Sequence, residues 1–254
     1  MYQELFSFRL FEHQFVVYSY ATCIVLGALI AALYTKYKCR KRLGFDISNN
    51  FFYLLFIASF VGGKLFYYFE KPLFYFNNPS QMLDNFSGGF VFYGSFLFAI
   101  PFVIVYFKKI KQPVLPILDI LAITTLIVHA IGRIGCFFGG CCYGKPTNSF
   151  YGIVFENSNN IAVYPTQLFE AFLLLAIMTG LIFYKKYQKF NGQIFLFYLT
   201  LYAIARIVIE NLRGDARVYL LNDLLSQAQV IAIVLIIISV VAFFTISKQK
   251  SFNT

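Results

Sequence analysis

Apolar residues dominate seven stretches of the chain, approximately 14–34, 51–69, 90–107, 114–138, 166–184, 193–211 and 227–246, with polar or charged residues gathered between them. Each stretch is close to the roughly 20 residues a helix needs to cross a hydrocarbon core about 30 Å thick. In lipid a backbone amide must find its partner within its own segment, so helices are the expected elements. The pattern predicts an all-α polytopic membrane protein with seven transmembrane helices, forming a single integral membrane domain over 1–254. Outer loops are expected at about 70–89, 139–165 and 212–226. The Asn, Pro, Ser and Gly of 70–89 suit a surface connection.

Charge sets the orientation. Of 21 Lys and Arg residues, 13 lie in alternate connections: Lys36, Lys38, Arg40, Lys41 and Arg42, then Lys108, Lys109 and Lys111, then Lys185, Lys186 and Lys189, and finally Lys248 and Lys250. Basic residues mark the cytoplasmic side, so the N-terminus is expected outside and the C-terminus in the cytoplasm. This distribution also explains the net charge of +10 without nucleic acid as a partner, with contact to anionic membrane lipids as a secondary effect. A hydrophobic content of 59% and a mean hydropathy of +0.70 exclude an ordinary soluble domain. Tyr and Phe must supply the interfacial belt, because the chain has no Trp. Residues 1–14 lack a basic leader region, so no cleavable signal is expected there.

A few ionisable residues interrupt the spans: Asp119, His129, Arg133, Glu170, Arg206 and Glu210. On insertion scales an arginine at mid-bilayer costs roughly 2.5–3.5 kcal/mol, so it is either paired or used. His129 stands one helical turn before Arg133, on the same face. Arg206 and Glu210 are i,i+4 neighbours and would make a structural pair by themselves, yet Arg213 and Asp215 add more charge than one pair neutralises. Arginine suits a phosphate, since its planar fork donates bidentately and stays ionised.

Gly132-Arg133-Ile134-Gly135, followed by Gly144-Lys145-Pro146-Thr147, resembles the signature of the bacterial prolipoprotein diacylglyceryl transferases. The likeness continues in order along the chain. Tyr18-Ser19-Tyr20 resembles the family's membrane-embedded Tyr motif, with Ala21 where Gly is usual. Gly62-Gly63-Lys64 stands where the family has Gly-Gly-Arg. Tyr164-Pro165-Thr166-Gln167-Leu168-Phe169-Glu170 is similar to its Tyr/His-Pro-Ser-Gln-Leu-Tyr-Glu. The segment 202–213 resembles the one carrying its second essential Arg, and Leu225-Ser226-Gln227-Ala228-Gln229 its Leu-Ser-x-x-Gln.

The resemblance implies a multi-pass enzyme of the bacterial inner membrane. Its partners would be phosphatidylglycerol and the signal peptide of a prolipoprotein, whose lipobox cysteine receives the diacylglyceryl group as a thioether while glycerol phosphate leaves. No metal or soluble cofactor is called for. His129, Tyr93, Arg133, Arg206 and Glu210 are the candidate catalytic residues. Tyr20, Lys64, Gly132, Gly135, Gly144, Gln167, Tyr202 and Arg213 are the candidates for binding substrate. Two rival readings remain: a related enzyme moving a lipid-derived group to another acceptor, and a non-catalytic lipid-binding or transport protein. A transporter would be expected to show inverted repeats with broken helices, and no such internal symmetry is visible.

The departures from the family pattern bear on the base and on the turn after Arg133. Tyr93-Gly94-Ser95 replaces His-Gly-Gly, and a phenol with an ordinary pKa near 10 is a poor base at neutral pH. His129 is the alternative base, or else a polar group bonded to a neighbouring helix. Where the family has Asn-Phe-x-Asn-x-Glu, this chain reads Cys136-Phe137-Phe138-Gly139-Gly140-Cys141, followed by Cys142. On the oxidising outer side a disulfide from Cys136 to Cys141 or Cys142 would staple the turn. Small core residues are the other reading. Spacing speaks against a metal, because the cluster has no C-x2-C pair and the only nearby His lies on the far side of Arg133.

Overall fold

The first apolar run does not begin as a helix. In the computed structural model, which describes residues 4–10, 13–69, 72–84, 91–214, 219–220 and 224–252, strands β1 (Glu4–Leu10) and β2 (His13–Tyr18) form an antiparallel hairpin. Phe15, Val16, Val17 and Tyr18 are β-branched or aromatic residues that suit a pleated ladder, and β1 lies beside them to be paired, with Phe6 opposite Val17 and Phe8 opposite Phe15. Helix α1 (Ser19–Leu43) follows and runs past the expected end at 34 through the basic cluster. Arg40, Lys41 and Arg42 occupy its last turn, where the helix dipole favours cations.

Next come α2 (Asn49–Phe69), the short α3 (Pro72–Asn77) and α4 (Ser80–Asp84), α5 (Phe92–Lys109) and α6 (Val114–Phe138). After α6 the chain makes strands β3 (Ile153–Val154) and β4 (Ala162–Val163), then helices α7 (Thr166–Tyr184) and α8 (Gln193–Glu210). Strands β5 (Tyr219–Leu220) and β6 (Leu225–Ser226) precede α9 (Gln227–Phe252). Among the described residues, six helices are long and apolar enough to cross a membrane: α1, α2, α6, α7 with its 3-10 extension to Tyr187, α8 and α9. The remaining apolar run is also helical, as the 18-residue α5, with Pro101 inside it.

The chain divides into two compact units, residues 39–117 and residues 1–38 with 118–254. In the first, α2 and α5 approach closely at two glycines. A Cβ on Gly62 would come within 2.5 Å of the Gly94 carbonyl oxygen, so this helix contact requires a residue without a side chain. Phe51 fills the same unit, with its ring 4.9 Å from that of Phe107 and 5.1 Å from that of Tyr106.

In the second unit α8 packs along α7 and α9, and α6 lies against α1. Thr35 and Thr124 share a 2.8 Å hydroxyl hydrogen bond between α1 and α6. Asp119, buried near the start of α6, accepts hydrogen bonds from the Gly192 amide (2.8 Å), the Phe195 amide (3.0 Å) and Gln188 Nε2 (2.5 Å). It therefore satisfies amides that the first turn of α8 leaves open, a capping role supplied from another helix. Apolar side chains such as Val234, Ile237, Val241 and Phe244 stand exposed along α9, as a lipid-facing surface requires.

Candidate active site

Glu170, one turn into α7, is the point on which the charged residues of the second unit converge. Its carboxylate lies 3.1 Å from Arg133 Nε on α6, 3.5 Å from Arg206 Nη1 on α8 and 3.9 Å from Arg213 Nη1 just beyond α8. His129 Nε2 is 3.4 Å away, and Tyr202 donates its hydroxyl at 3.5 Å. Arg206 also reaches Glu210 at 2.9 Å through Nη2, and the Ser226 hydroxyl donates to the other Glu210 oxygen at 2.9 Å. The His129 ring sits edge-on to Tyr202, with centroids 5.1 Å apart. All these groups are largely withdrawn from solvent.

Charges of both signs meet in this cluster. Arg133, Arg206 and Arg213 bring three positive charges, and Glu170 and Glu210 bring two negative ones. Guanidinium groups from α6, from α8 and from just beyond α8 form a cage of donors that suits a tetrahedral oxyanion.

The loops that bring these segments together are joined through their backbones. The Gly144 amide donates to the Tyr164 carbonyl (2.8 Å), the Tyr164 amide to Lys145 (3.1 Å), and the Lys145 amide to Leu212 (2.8 Å). Gly144 pairs in antiparallel fashion with Arg213, and Pro146 with Val163. The Gly-Lys-Pro-Thr segment, the approach to α7 and the end of α8 thus form one small patch of sheet. A side chain at Gly144 would collide with the Leu212 carbonyl and with Tyr164 and Thr166. Outside the spans, the half-buried Tyr164 phenol is held below its ordinary range by hydrogen bonds from Thr147 and Ser149.

The other residues singled out in the sequence have differing places. Gly135 lets α6 approach α1: a Cβ there would lie 2.8 Å from that of Cys23 and 3.4 Å from the Tyr20 ring. Gly132 faces Ile24 across the same contact. Tyr20 is exposed beside this approach, within electrostatic reach of Arg133. Gln167 is buried and donates to the Cys141 carbonyl at 2.7 Å, so it holds the turn after α6. Lys64 belongs to the unit 39–117, buried on α2 with Nζ 5.4 Å from the Tyr67 ring centroid. Tyr93 is in the first turn of α5, and its side chain lies outside the described residues. Asp215 also lies outside them.

Cys136, Cys141 and Cys142 are free thiols whose sulfur atoms all lie within 4.8 Å of one another. Hydrogen bonds from Cys136 and Cys141 pull the Cys142 thiol well below its usual range. The charges of Arg213 and Arg133 add to this effect, and desolvation opposes it.

Glu170 is the member of the site whose place the sequence concealed. Hydropathy marked it as an interior-facing carboxylate ending the 164–170 motif, and nothing in its spacing revealed that three arginines would meet on it.

Residues 7–245 match the family model described as "Prolipoprotein diacylglyceryl transferase". A phosphatidylglycerol–prolipoprotein diacylglyceryl transferase of Clostridium tetani is 33% identical over 233 residues, covering 89% of this chain and 92% of the relative. A second such enzyme, from Clostridium perfringens, is 31% identical and covers 92% of each chain. One from Rickettsia canadensis is 31% identical over 88% of this chain and 90% of its own. With a match that spans nearly its whole length, the chain belongs to the prolipoprotein diacylglyceryl transferase family.

Proposed function

We propose that the protein transfers the diacylglyceryl group of phosphatidylglycerol to the lipobox cysteine of a prolipoprotein. The observation that carries this reading is the convergence of the Arg133, Arg206 and Arg213 guanidinium groups on Glu170 in a buried site. The lipid phosphate would sit against these guanidinium groups, which would also bear the negative charge that grows on the departing glycerol phosphate. In the reaction the acceptor S–H gives up its proton, the sulfur bonds to the terminal glyceryl carbon, and the bond from that carbon to the phosphate oxygen breaks. Glycerol phosphate carries the electron pair away.

The thiolate is the nucleophile, so the site needs a base. His129 is the candidate within the cage. With Nε2 directed at Glu170, the neutral tautomer protonated at Nε2 keeps its basic lone pair on Nδ1. Glu170 then orients the imidazole and stabilises its charged form, as a carboxylate does beside a catalytic histidine. Glu210, anchored by Ser226, holds Arg206 in place. Tyr20 and Tyr202 line the approach to these groups, and Gly132 and Gly135 keep α6 close to α1.

On this reading the chain acts as one membrane transferase domain in the bacterial inner membrane, spanning it seven times with its N-terminus outside. Expression in cells depleted of their own diacylglyceryl transferase tests the activity. A model lipoprotein should become lipidated, and a lipoprotein that stays unmodified beside folded, membrane-inserted protein would reject the reading.

A further inference from the structure

Three thiols stand behind Arg133, and the proposed transfer reaction uses none of them. Cys136 is in the last turn of α6, and the chain then reverses so that Cys141 and Cys142 return beside it. The reversal is firmly built. The Gly139 amide bonds to the Gly135 carbonyl at 2.9 Å, Gly140 to Phe137 at 3.2 Å and Cys141 to Cys136 at 3.2 Å. Two side chains from the first turn of α7 hold the far side: Gln167 bonds the Cys141 carbonyl and Thr166 the Cys142 carbonyl, at 2.7 and 3.0 Å. Gly140 and Cys142 both adopt left-handed backbone conformations, with φ of 63° and 64°. For a cysteine that conformation is uncommon, and here it accompanies a side chain brought back towards the other two sulfurs.

We propose that Cys136, Cys141 and Cys142 form a three-sulfur binding site for a thiophilic cation, zinc(II). Zinc–thiolate bonds are about 2.3 Å long, so three sulfurs around one tetrahedral ion stand about 3.8 Å apart. The three sulfurs here already lie within 4.8 Å, so small side-chain rotations close the site without moving the backbone. Soft thiolate donors select zinc over the harder divalent ions. Cys136 is buried and Cys141 exposed, so the site opens to one side, where water or another outside ligand takes the fourth position. The missing C-x2-C spacing is no obstacle, because the Gly139-Gly140 reversal gathers the thiols instead. A bound ion would lock the turn that follows Arg133 and stiffen that end of α6.

Cobalt(II) titration of the reduced, chelator-treated, full-length protein in detergent tests the site. The expected result is saturation at one ion per chain with sulfur-to-cobalt charge-transfer absorption, reversal by zinc(II), and a higher unfolding temperature on loading. Replacing Cys136, Cys141 or Cys142 singly by Ser should weaken binding about tenfold or more, while Cys23→Ser and Cys39→Ser leave it unchanged. Absence of saturable binding, or binding that survives Cys142→Ser, overturns the proposal. So does mass spectrometry of protein isolated without reductant if two of the three thiols are joined as a disulfide. The measurement needs no substrate, so the site and the transferase reading can fail separately: a protein that binds cobalt(II) but lipidates nothing loses only the latter.

Discussion

Arg133 and Glu170 meet through Nε and a carboxylate oxygen at 3.1 Å, joining α6 to α7 across 37 positions of sequence. The same carboxylate oxygen faces Arg206 and Arg213, so one acidic side chain orders three basic ones that the chain delivers separately. It thereby draws guanidinium groups from α6, from α8 and from just beyond α8 to one point, where their forked donors suit an incoming anion.

Replacing Glu170 with Gln should therefore damage catalysis through the arrangement of the arginines and His129. Turnover is expected to fall roughly a hundredfold, the scale of losing one preorganised electrostatic group. Removing one partner from a buried ionic cluster also costs about 3–5 kcal/mol of stability. A lipidation assay and a thermal melt in detergent measure the two effects, and wild-type turnover in Glu170→Gln would remove this carboxylate from the site.

Arg133→Gln and Arg206→Gln should each lower the transfer rate by roughly 10²–10³-fold, since Gln keeps hydrogen bonding and loses the charge. Lys at either position should restore only part, because the bidentate fork is gone. Full activity in both Gln variants would mean that neither side chain holds the phosphate.

His129→Asn should lose most turnover while phosphatidylglycerol still binds. The wild-type rate should fall as pH drops and the imidazole becomes protonated, because the cationic ring cannot accept the thiol proton. The pH profile and a lipid-binding assay separate these effects. Normal turnover in His129→Asn together with an inactive Tyr93→Phe would move the base to Tyr93.

Gly144→Ala should unfold the junction of the three loops rather than alter the chemistry directly. The added methyl meets the Leu212 carbonyl and the Tyr164 and Thr166 side chains, all three within 2.8 Å. Overpacking of this kind costs about 1–3 kcal/mol. A lowered melting temperature is expected, with activity falling alongside it. An unchanged melting temperature would show that the backbone patch can yield.

Orientation is checked by single cysteines in a cysteine-free background. Positions Asn77 and Asn157 should label from outside intact cells, and Lys109 and Lys186 only after the membrane is opened. All four are exposed on the protein, so access depends on the side of the membrane. Labelling of position 109 from outside would reverse the orientation that the basic loops predict.

Hydropathy alone determined the membrane class, the helical content and most helix positions, because each depends on a continuous run of residues and its own backbone hydrogen bonds. The same information marked Arg133 and Arg206 as residues that must be paired or used, since the cost of a buried charge follows from its position in an apolar run. Helix α1 shows the limit: 14–34 reads as uninterrupted, and only the presence of β1 alongside turns residues 13–18 into a strand. Gln167 illustrates it again, as a substrate-binding candidate by motif that in the fold holds the Cys141 carbonyl. Glu170 as the hub, Asp119 as the cap of α8 and the gathering of three thiols were decided by tertiary structure alone. Each depends on side chains from segments far apart in sequence reaching within a few ångströms, and that is set by how helices cross and loops pair, which neither periodicity nor spacing records.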